Sequence, residues 1–374
     1  MSLENLVKMS NRYGSNEEYV LAGGGNTSYK EDRKLYVKGS GVALSEIKPE
    51  QFVILNIDLL LKMIKPDYLS GKSQEEKEDQ ALLDMMTARL PGEESKRPSI
   101  ESVLHAMFPF KYVLHVHPAL INGLSCSVNG KKACKEIYGE KVVWIDLVKP
   151  GLALAQECNK VFGEYKEKTG RHPQVVIMQN HGIFISADKV DEIDELMEFV
   201  VTRLKESIKE FPSFDSTGYD NSLAESIAST LKSLYANDNT AVVQFCTNKQ
   251  VQEYVKSKEA FIPVSKSFTP DHIVNCKDEP LFIESGSCNA SDITKAFKDY
   301  EKRKGFKPKI VAVQDLGFFA LSENQKNSDR GKALFLDSIK IATYAKSFGG
   351  ETHLNDEFAQ FILNWEAEAY RSKA

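Results

Sequence analysis

Two histidines one residue apart, in the run His115-Val116-His117-Pro118, and a third in Gln179-Asn180-His181-Gly182, are the densest chemistry in the chain. Side chains on an extended strand alternate faces with a period of two. His115 and His117 therefore point the same way and are spaced to grip one metal ion. His181 ends a second apolar run, where a buried imidazole needs a polar partner, and is the third ligand. The H-x-H pair alone describes a solvated strand face equally well; His181 tips the reading toward metal. Three imidazoles and an open position describe a catalytic site better than a closed structural one. Imidazole ligation favours Zn2+, with manganese, cobalt or iron as alternatives.

Glu101 is the candidate acid/base. It follows Arg97-Pro98-Ser99-Ile100, near the start of an expected helix, where the helix dipole favours a carboxylate. Alone it reads as a helix N-terminal charge, and it becomes catalytic only if the fold sets it beside the metal. His105, four residues on, reads as a packed, hydrogen-bonded histidine rather than a ligand. Three small-residue segments are candidates for one phosphate pocket: the loop Gly23-Gly24-Gly25-Asn26-Thr27-Ser28, the turn Gly39-Ser40-Gly41, and Ser99. Backbone N–H groups and small hydroxyls cradle anions in such turns. No G-K-[ST] follows at Walker A spacing, and G-x-G-x-x-G is absent, so no NAD cofactor is expected.

The elements that must hold these residues follow from periodicity. Tyr19–Ala22, Lys34–Lys38, Phe52–Ile57, Tyr112–His117 and Lys141–Leu147 read as strands, and Val175–Ile185 as a strand interrupted near His181-Gly182. A helix entered through Pro98-Ser99 stops at Pro109. Leu152–Tyr165 reads as a helix after Lys149-Pro150-Gly151. Asp188–Glu210 is amphipathic, with apolar residues at spacings of three and four and Asp188 as N-cap. The run 212–220 is rich in Pro, Ser, Asp and Gly and reads as a linker. It separates a domain over 1–212 from a second over 222–374. In the second, Ala241–Phe245, Leu281–Ile283 and Lys309–Val313 read as strands, and Asn289–Tyr300 and Ser328–Phe348 as helices. No internal repeat is apparent.

Composition narrows the classes. The 374 residues are 42% hydrophobic and 27% charged, as in a globular protein. A net charge of -5 argues against nucleic-acid binding. No apolar run approaches a membrane span, and the polar N-terminus lacks a signal-peptide core. Six scattered cysteines without a C-x-x-C pair read as reduced thiols, which makes a cytoplasmic location the expectation.

Taken in order, Gly25-Asn26-Thr27-Ser28, Gly39-Ser40-Gly41, Pro98-Ser99-Ile100-Glu101, His115-Val116-His117-Pro118, Pro150-Gly151-Leu152-Ala153-Leu154-Ala155 and Asn180-His181-Gly182 resemble the motifs of class II aldolase/adducin domains over roughly residues 1–212. The resemblance implies an α/β fold: a three-layer α/β/α domain around a largely antiparallel sheet, followed here by a smaller C-terminal α/β domain of unknown role. It implies zinc on His115, His117 and His181, proton transfer by Glu101, and a substrate phosphate held by Gly25, Asn26, Thr27, Ser28, Ser40, Gly41 and Ser99. It also implies a homo-oligomer, commonly a tetramer. With Thr269-Pro270-Asp271-His272 and Leu316-Gly317-Phe318-Phe319, the chain resembles the aldolase half of bifunctional rhamnulose-1-phosphate aldolase/lactaldehyde dehydrogenase proteins, without their dehydrogenase domain. Those relatives tend to carry Asp where Glu101 stands, and small aldolases often carry Ser where Ile100 stands. The expected activity is cleavage of a ketose 1-phosphate to dihydroxyacetone phosphate and an aldehyde through an enediolate. A pentulose-5-phosphate 4-epimerase, a sugar-phosphate dehydratase and a non-catalytic adducin-like module remain as alternatives.

Overall fold

The computed structural model describes residues 2–235 and 241–365. They divide into two compact units, one of residues 2–125 with 130–207, the other of 126–129 with 208–235 and 241–365.

The first unit begins with helix α1 (Ser2–Gly14), which buries Leu6, Met9 and Tyr13 along one stripe. Three strands follow, β1 (Asn26–Glu31), β2 (Lys34–Lys38) and β3 (Phe52–Asn56), and then the helices α2 (Ile57–Lys62), α3 (Gln74–Thr87) and α4 (Ser102–Met107). Next come β4 (Tyr112–Val116), α5 (Ala119–Ser125), α6 (Gly130–Tyr138), β5 (Val143–Ile145), α7 (Leu152–Thr169), β6 (Val175–Met178), β7 (Gly182–Ala187) and α8 (Val190–Lys205). The strands form one sheet in the order β3-β2-β1-β4-β7-β6-β5. Every pair is antiparallel except β5 and β6.

Alternation along the strands gives the sheet two apolar faces, and helices cover both. Leu35, Val37, Val53, Leu55, Val113, Val176 and Phe184 pack with α2, α3, α4 and α7, while α1, α5 and α8 lie against the other face. This is the three-layer, largely antiparallel architecture expected. Glu78 of α3 completes it at α7, where its buried carboxylate accepts Leu152 N and Ala153 N at 2.7 and 2.8 Å. That satisfies orphan donors at a helix start that has no side-chain cap of its own.

Several local expectations change. Tyr19–Ala22 is not a strand but a pair of turns, because Ala22 and Gly23 take φ of 51° and 76°. Strand β1 instead begins at Asn26, so Asn26, Thr27 and Ser28 are ladder residues rather than loop residues. The interrupted strand at 175–185 is a hairpin, β6 to β7, turning at Asn180 with φ of 53°. Helix α4 starts at Ser102, not at Pro98. Ser40 N donates to Arg97 O and Ser99 N to Lys38 O, holding 97–99 extended beside β2. Asp188 does not cap α8; its carboxylate accepts Lys111 N, and Lys189 occupies the cap position.

In the second unit, residues 211–220 carry no regular structure. Then follow α9 (Asn221–Tyr235), β8 (Val242–Cys246), α10 (Lys249–Val255), α11 (Lys258–Phe261), α12 (Pro270–Cys276), β9 (Leu281–Ile283), α13 (Ala290–Lys304), β10 (Ile310–Val313), β11 (Gly317–Ser322), α14 (Gln325–Ala345) and α15 (Asp356–Asn364). The sheet runs β8-β11-β10-β9. Strand β11 and helices α9, α10, α11, α12 and α15 were not foreseen. No helix among the described residues is long and apolar enough to cross a membrane.

Candidate metal centre and its surroundings

The site forms where β4 meets the β6–β7 hairpin, on the sheet face covered by α4. Period-two alternation sends Val113 and His115 of β4 to this face. The β1–β4 register pairs Asn26 with His115 and Ser28 with Val113, so Asn26 and Ser28 point the same way. Glu101, just before α4, and His105, one turn on, project down from the covering helix to meet them. Thr27, of opposite parity, turns to the other face, where its hydroxyl bonds Ser10 Oγ at 2.7 Å.

Three imidazoles converge. The ring nitrogens of His115, His117 and His181 all lie within 4.8 Å of one another, with His115 Nε2 2.8 Å from His117 Nε2. The fully buried His115 donates from Nδ1 to Ile183 O at 3.0 Å, which leaves the Nε2 lone pair facing inward. Burial pushes His115 down to about 4, so its ring is neutral near pH 7. Glu101 Oε1 stands 3.2 Å from Nε2 of both His115 and His181, yet it has no hydrogen-bond partner. Three imidazole nitrogens that converge beside a buried carboxylate oxygen lacking a donor suit a divalent cation held by the three histidines. The residues present fit such an ion.

The hairpin turn that carries His181 is held on several sides. Asn180 N donates to Ser125 O, and Gln179 N to Ile145 O. Asn122 Nδ2 donates to His181 O at 3.2 Å. Gly182 is required for room. A Cβ there would stand 2.5 Å from the His117 ring, 2.6 Å from Val116 O and 3.4 Å from the His115 ring. Gly182→Ala is therefore expected to push His117 out of place and weaken metal binding by about 10-fold or more, read by competition with a chromophoric chelator. Unchanged affinity would show that the ligands do not depend on this clearance.

Behind the ligands lies a buried relay. Asn26 Nδ2 donates to Glu101 Oε2 at 2.6 Å, so Asn26 Oδ1 is left to accept from His105 Nε2. His105 Nδ1 then accepts from Ser28 Oγ at 2.7 Å. Burial pushes His105 well below its ordinary value, consistent with this neutral tautomer. The Ser28 hydroxyl hydrogen is thus engaged inside the fold. His105→Leu would leave Asn26 Oδ1 and Ser28 Oγ buried without partners. At about 1–3 kcal/mol for each, the urea-unfolding free energy is expected to drop by roughly 2 kcal/mol or more. A variant as stable as the parent would contradict the relay.

The other candidate residues gather beside it. Gly39 bridges Pro98 in antiparallel fashion, which sets the Ser40-Gly41 turn next to Ser99. Ser99 Oγ accepts Glu101 N at 3.3 Å. Lys38, only 6% exposed, donates from Nζ to Gly23 O and Gly25 O at 3.0 and 2.8 Å. The three small-residue segments therefore meet at Lys38, whose ammonium holds Gly23 and Gly25 and whose carbonyl accepts Ser99 N. Sequence reasoning passed over Lys38 and gave His105 no role in holding the site. The one available signal was their position, next to Gly39 and one helical turn from Glu101.

Residues 4–208 match the model of the class II aldolase and adducin N-terminal domain. YuxG, an uncharacterized oxidoreductase of Bacillus subtilis (strain 168), is 24% identical over 415 residues, covering 99% of this chain and 58% of that protein. The chain thus spans little more than half the length of that relative. Among solved structures, the N-terminal class II aldolase domain of a conserved protein from Thermoplasma acidophilum is 26% identical, covers 55% of this chain and 93% of its own, and has a TM-score of 0.46. An L-fuculose 1-phosphate aldolase is 16% identical, with coverages of 55% and 84% and a TM-score of 0.36.

Proposed function

Because the chain belongs to the class II aldolase and adducin family, we propose that it is a zinc-dependent lyase that cleaves a ketose 1-phosphate to dihydroxyacetone phosphate and an aldehyde. L-rhamnulose 1-phosphate, which would yield lactaldehyde, is the substrate to try first. The observation that carries the reading is the convergence of His115, His117 and His181 on the unpartnered Glu101 Oε1, beside turns gathered around Lys38.

A divalent cation on the three histidines would polarise the ketose carbonyl and offset the charge that develops as the C–C bond breaks. In that cleavage the electron pair of the C3–C4 bond passes to C3 and the adjoining carbonyl as an enediolate, and the aldehyde departs. Glu101 takes up the proton that the C4 hydroxyl releases as its oxygen becomes the aldehyde carbonyl, and delivers it to C3. Asn26, through its bond to Oε2, aims the other carboxylate oxygen at the reacting carbon. Ser40, Gly41 and Ser99 hold the phosphate, with the Lys38 charge behind them. Gly25 and Asn26 shape the wall from the strand side; Thr27, bonded to Ser10 on the opposite sheet face, and Ser28, engaged with His105, do not offer the phosphate the side-chain contacts expected of them.

Lys38→Met is expected to raise KM for the phosphorylated substrate about 10-fold or more, with a smaller change in kcat, as befits loss of one charged contact. An unaltered KM would remove Lys38 from the pocket. The reaction itself is tested with a panel of ketose 1-phosphates and coupled detection of dihydroxyacetone phosphate, with and without chelator. Chelator-sensitive triose phosphate supports cleavage. An epimer or a dehydrated product in its place would replace it.

A further inference from the structure

The second unit repeats the half of the first unit that carries the metal ligands. Its strand order, β8-β11-β10-β9, reproduces β4-β7-β6-β5, with the one parallel pair at the same end. One helix, α7 or α13, precedes the hairpin strands and another, α8 or α14, follows them, while α5 and α6 of the first copy are replaced by α10, α11 and α12 in the second. This corrects the expectation of no internal repeat. The two copies share few residues, but those are spaced identically: Gly170 and Gly305, Pro173 and Pro308, Gln179 and Gln314, Gly182 and Gly317, Phe184 and Phe319.

The hydrogen bonds correspond as well. Asn180 N donates to Ser125 O and Asp315 N to Val255 O, from residues with left-handed φ of 53° and 58°. Asn122 Nδ2 donates to His181 O, as Gln252 Nε2 does to Leu316 O. Gln179 Oε1 accepts Leu147 N, and Gln314 Oε1 accepts Ser285 N. The two hairpin glycines face equivalent neighbours. A Cβ on Gly182 would meet Val116 O and the His117 and His115 rings; one on Gly317 would meet Cys246 O, Thr247 Cβ and the Phe245 ring. The strand registers concur, pairing Phe184 with His115 and Phe319 with Phe245.

We infer that the second unit is a degenerate copy of the metal-binding half, with Phe245, Thr247 and Leu316 at the positions of His115, His117 and His181, so that the described residues hold a single metal centre. Phe and Leu offer no lone pair, and the Thr247 hydroxyl already accepts from Gln252 Nε2 at 3.0 Å. The second sheet also has no counterpart of β1–β3 among the described residues, and therefore none of the turns assigned to the phosphate. The second unit keeps the strand order and turn contacts of that half without its histidines.

The inference rests on the reading of the three histidines as metal ligands, and the test separates the two. After zinc loading and gel filtration, the parent is expected to carry one equivalent of metal per chain. A His117→Ala/His181→Ala variant is expected to carry none. Adding Phe245→His, Thr247→His and Leu316→His to that variant is expected to restore one equivalent of Co2+, with the visible absorption of four-coordinate cobalt. A parent without metal counts against the proposed function and leaves the rebuilt site readable. A second equivalent in the parent, or one retained by the double variant, overturns the inference. So does a rebuilt variant that melts like the parent yet binds no Co2+. If the rebuilt chain does not fold, Thr247→His with Leu316→His alone is expected to give about a 10-fold gain in Ni2+ affinity over the double variant, and no gain overturns the equivalence.

Discussion

Glu101→Gln is expected to cut turnover by about 10²-fold or more while leaving metal content unchanged. The substitution is nearly isosteric, and the relay tolerates it. The new amide oxygen accepts from Asn26 Nδ2 as Oε2 does at 2.6 Å. The amide NH2 then faces the Nε2 atoms of His115 and His181, which stand 3.2 Å from Oε1. Packing survives, and what is lost is a group able to give up and recover a proton. Turnover and metal stoichiometry, measured on one preparation, decide it. Full turnover would end the proton-carrier role of Glu101, and loss of metal together with turnover would make Glu101 chiefly a ligand.

His117→Ala is expected to lower metal affinity by more than about 100-fold and to abolish chelator-sensitive activity. Loss of a supporting contact around a metal already costs about 10–100-fold, and His117 supplies one of three ring nitrogens that converge within 4.8 Å. It is the cleanest of the three positions to change. His115 is fully buried and donates to Ile183 O, so its removal adds an unpaired carbonyl and a cavity. His117 lies just past the end of β4 and is only partly buried. Its truncation therefore tests ligation with little effect on folding. Thermal melting without metal should match the parent, and metal analysis should show an empty site. A variant that keeps its metal would contradict the assignment.

Where sequence reasoning located the elements, the signal was local. Lys34–Lys38 and Leu281–Ile283 alternate or run apolar between turn residues and are strands as expected. The amphipathic run after Asp188 is α8, although the helix starts two residues later because Lys111 N holds the Asp188 carboxylate. Failures came where a distant partner decided. The Gly23–Ser28 segment has the composition of a loop, yet Asn26–Ser28 pair with β4 residues almost ninety positions away. The repeat escaped notice because its copies agree mainly in turn and glycine positions, where backbone conformation and close approach constrain residue type.

The sequence by itself determined which residues are able to do chemistry and that His115 and His117 share a face, because side-chain direction on a strand depends only on neighbours along the chain. It also determined the family, through motifs whose order survives without coordinates. Tertiary structure alone decided that Asn26 holds Glu101, that His105 and Ser28 brace Asn26, that Lys38 sits behind the glycine turn, and that Phe245, Thr247 and Leu316 stand in the second unit where His115, His117 and His181 stand in the first. Those facts depend on strand register and helix docking, which are settled by burial and hydrogen-bond satisfaction across the whole unit rather than by local propensity.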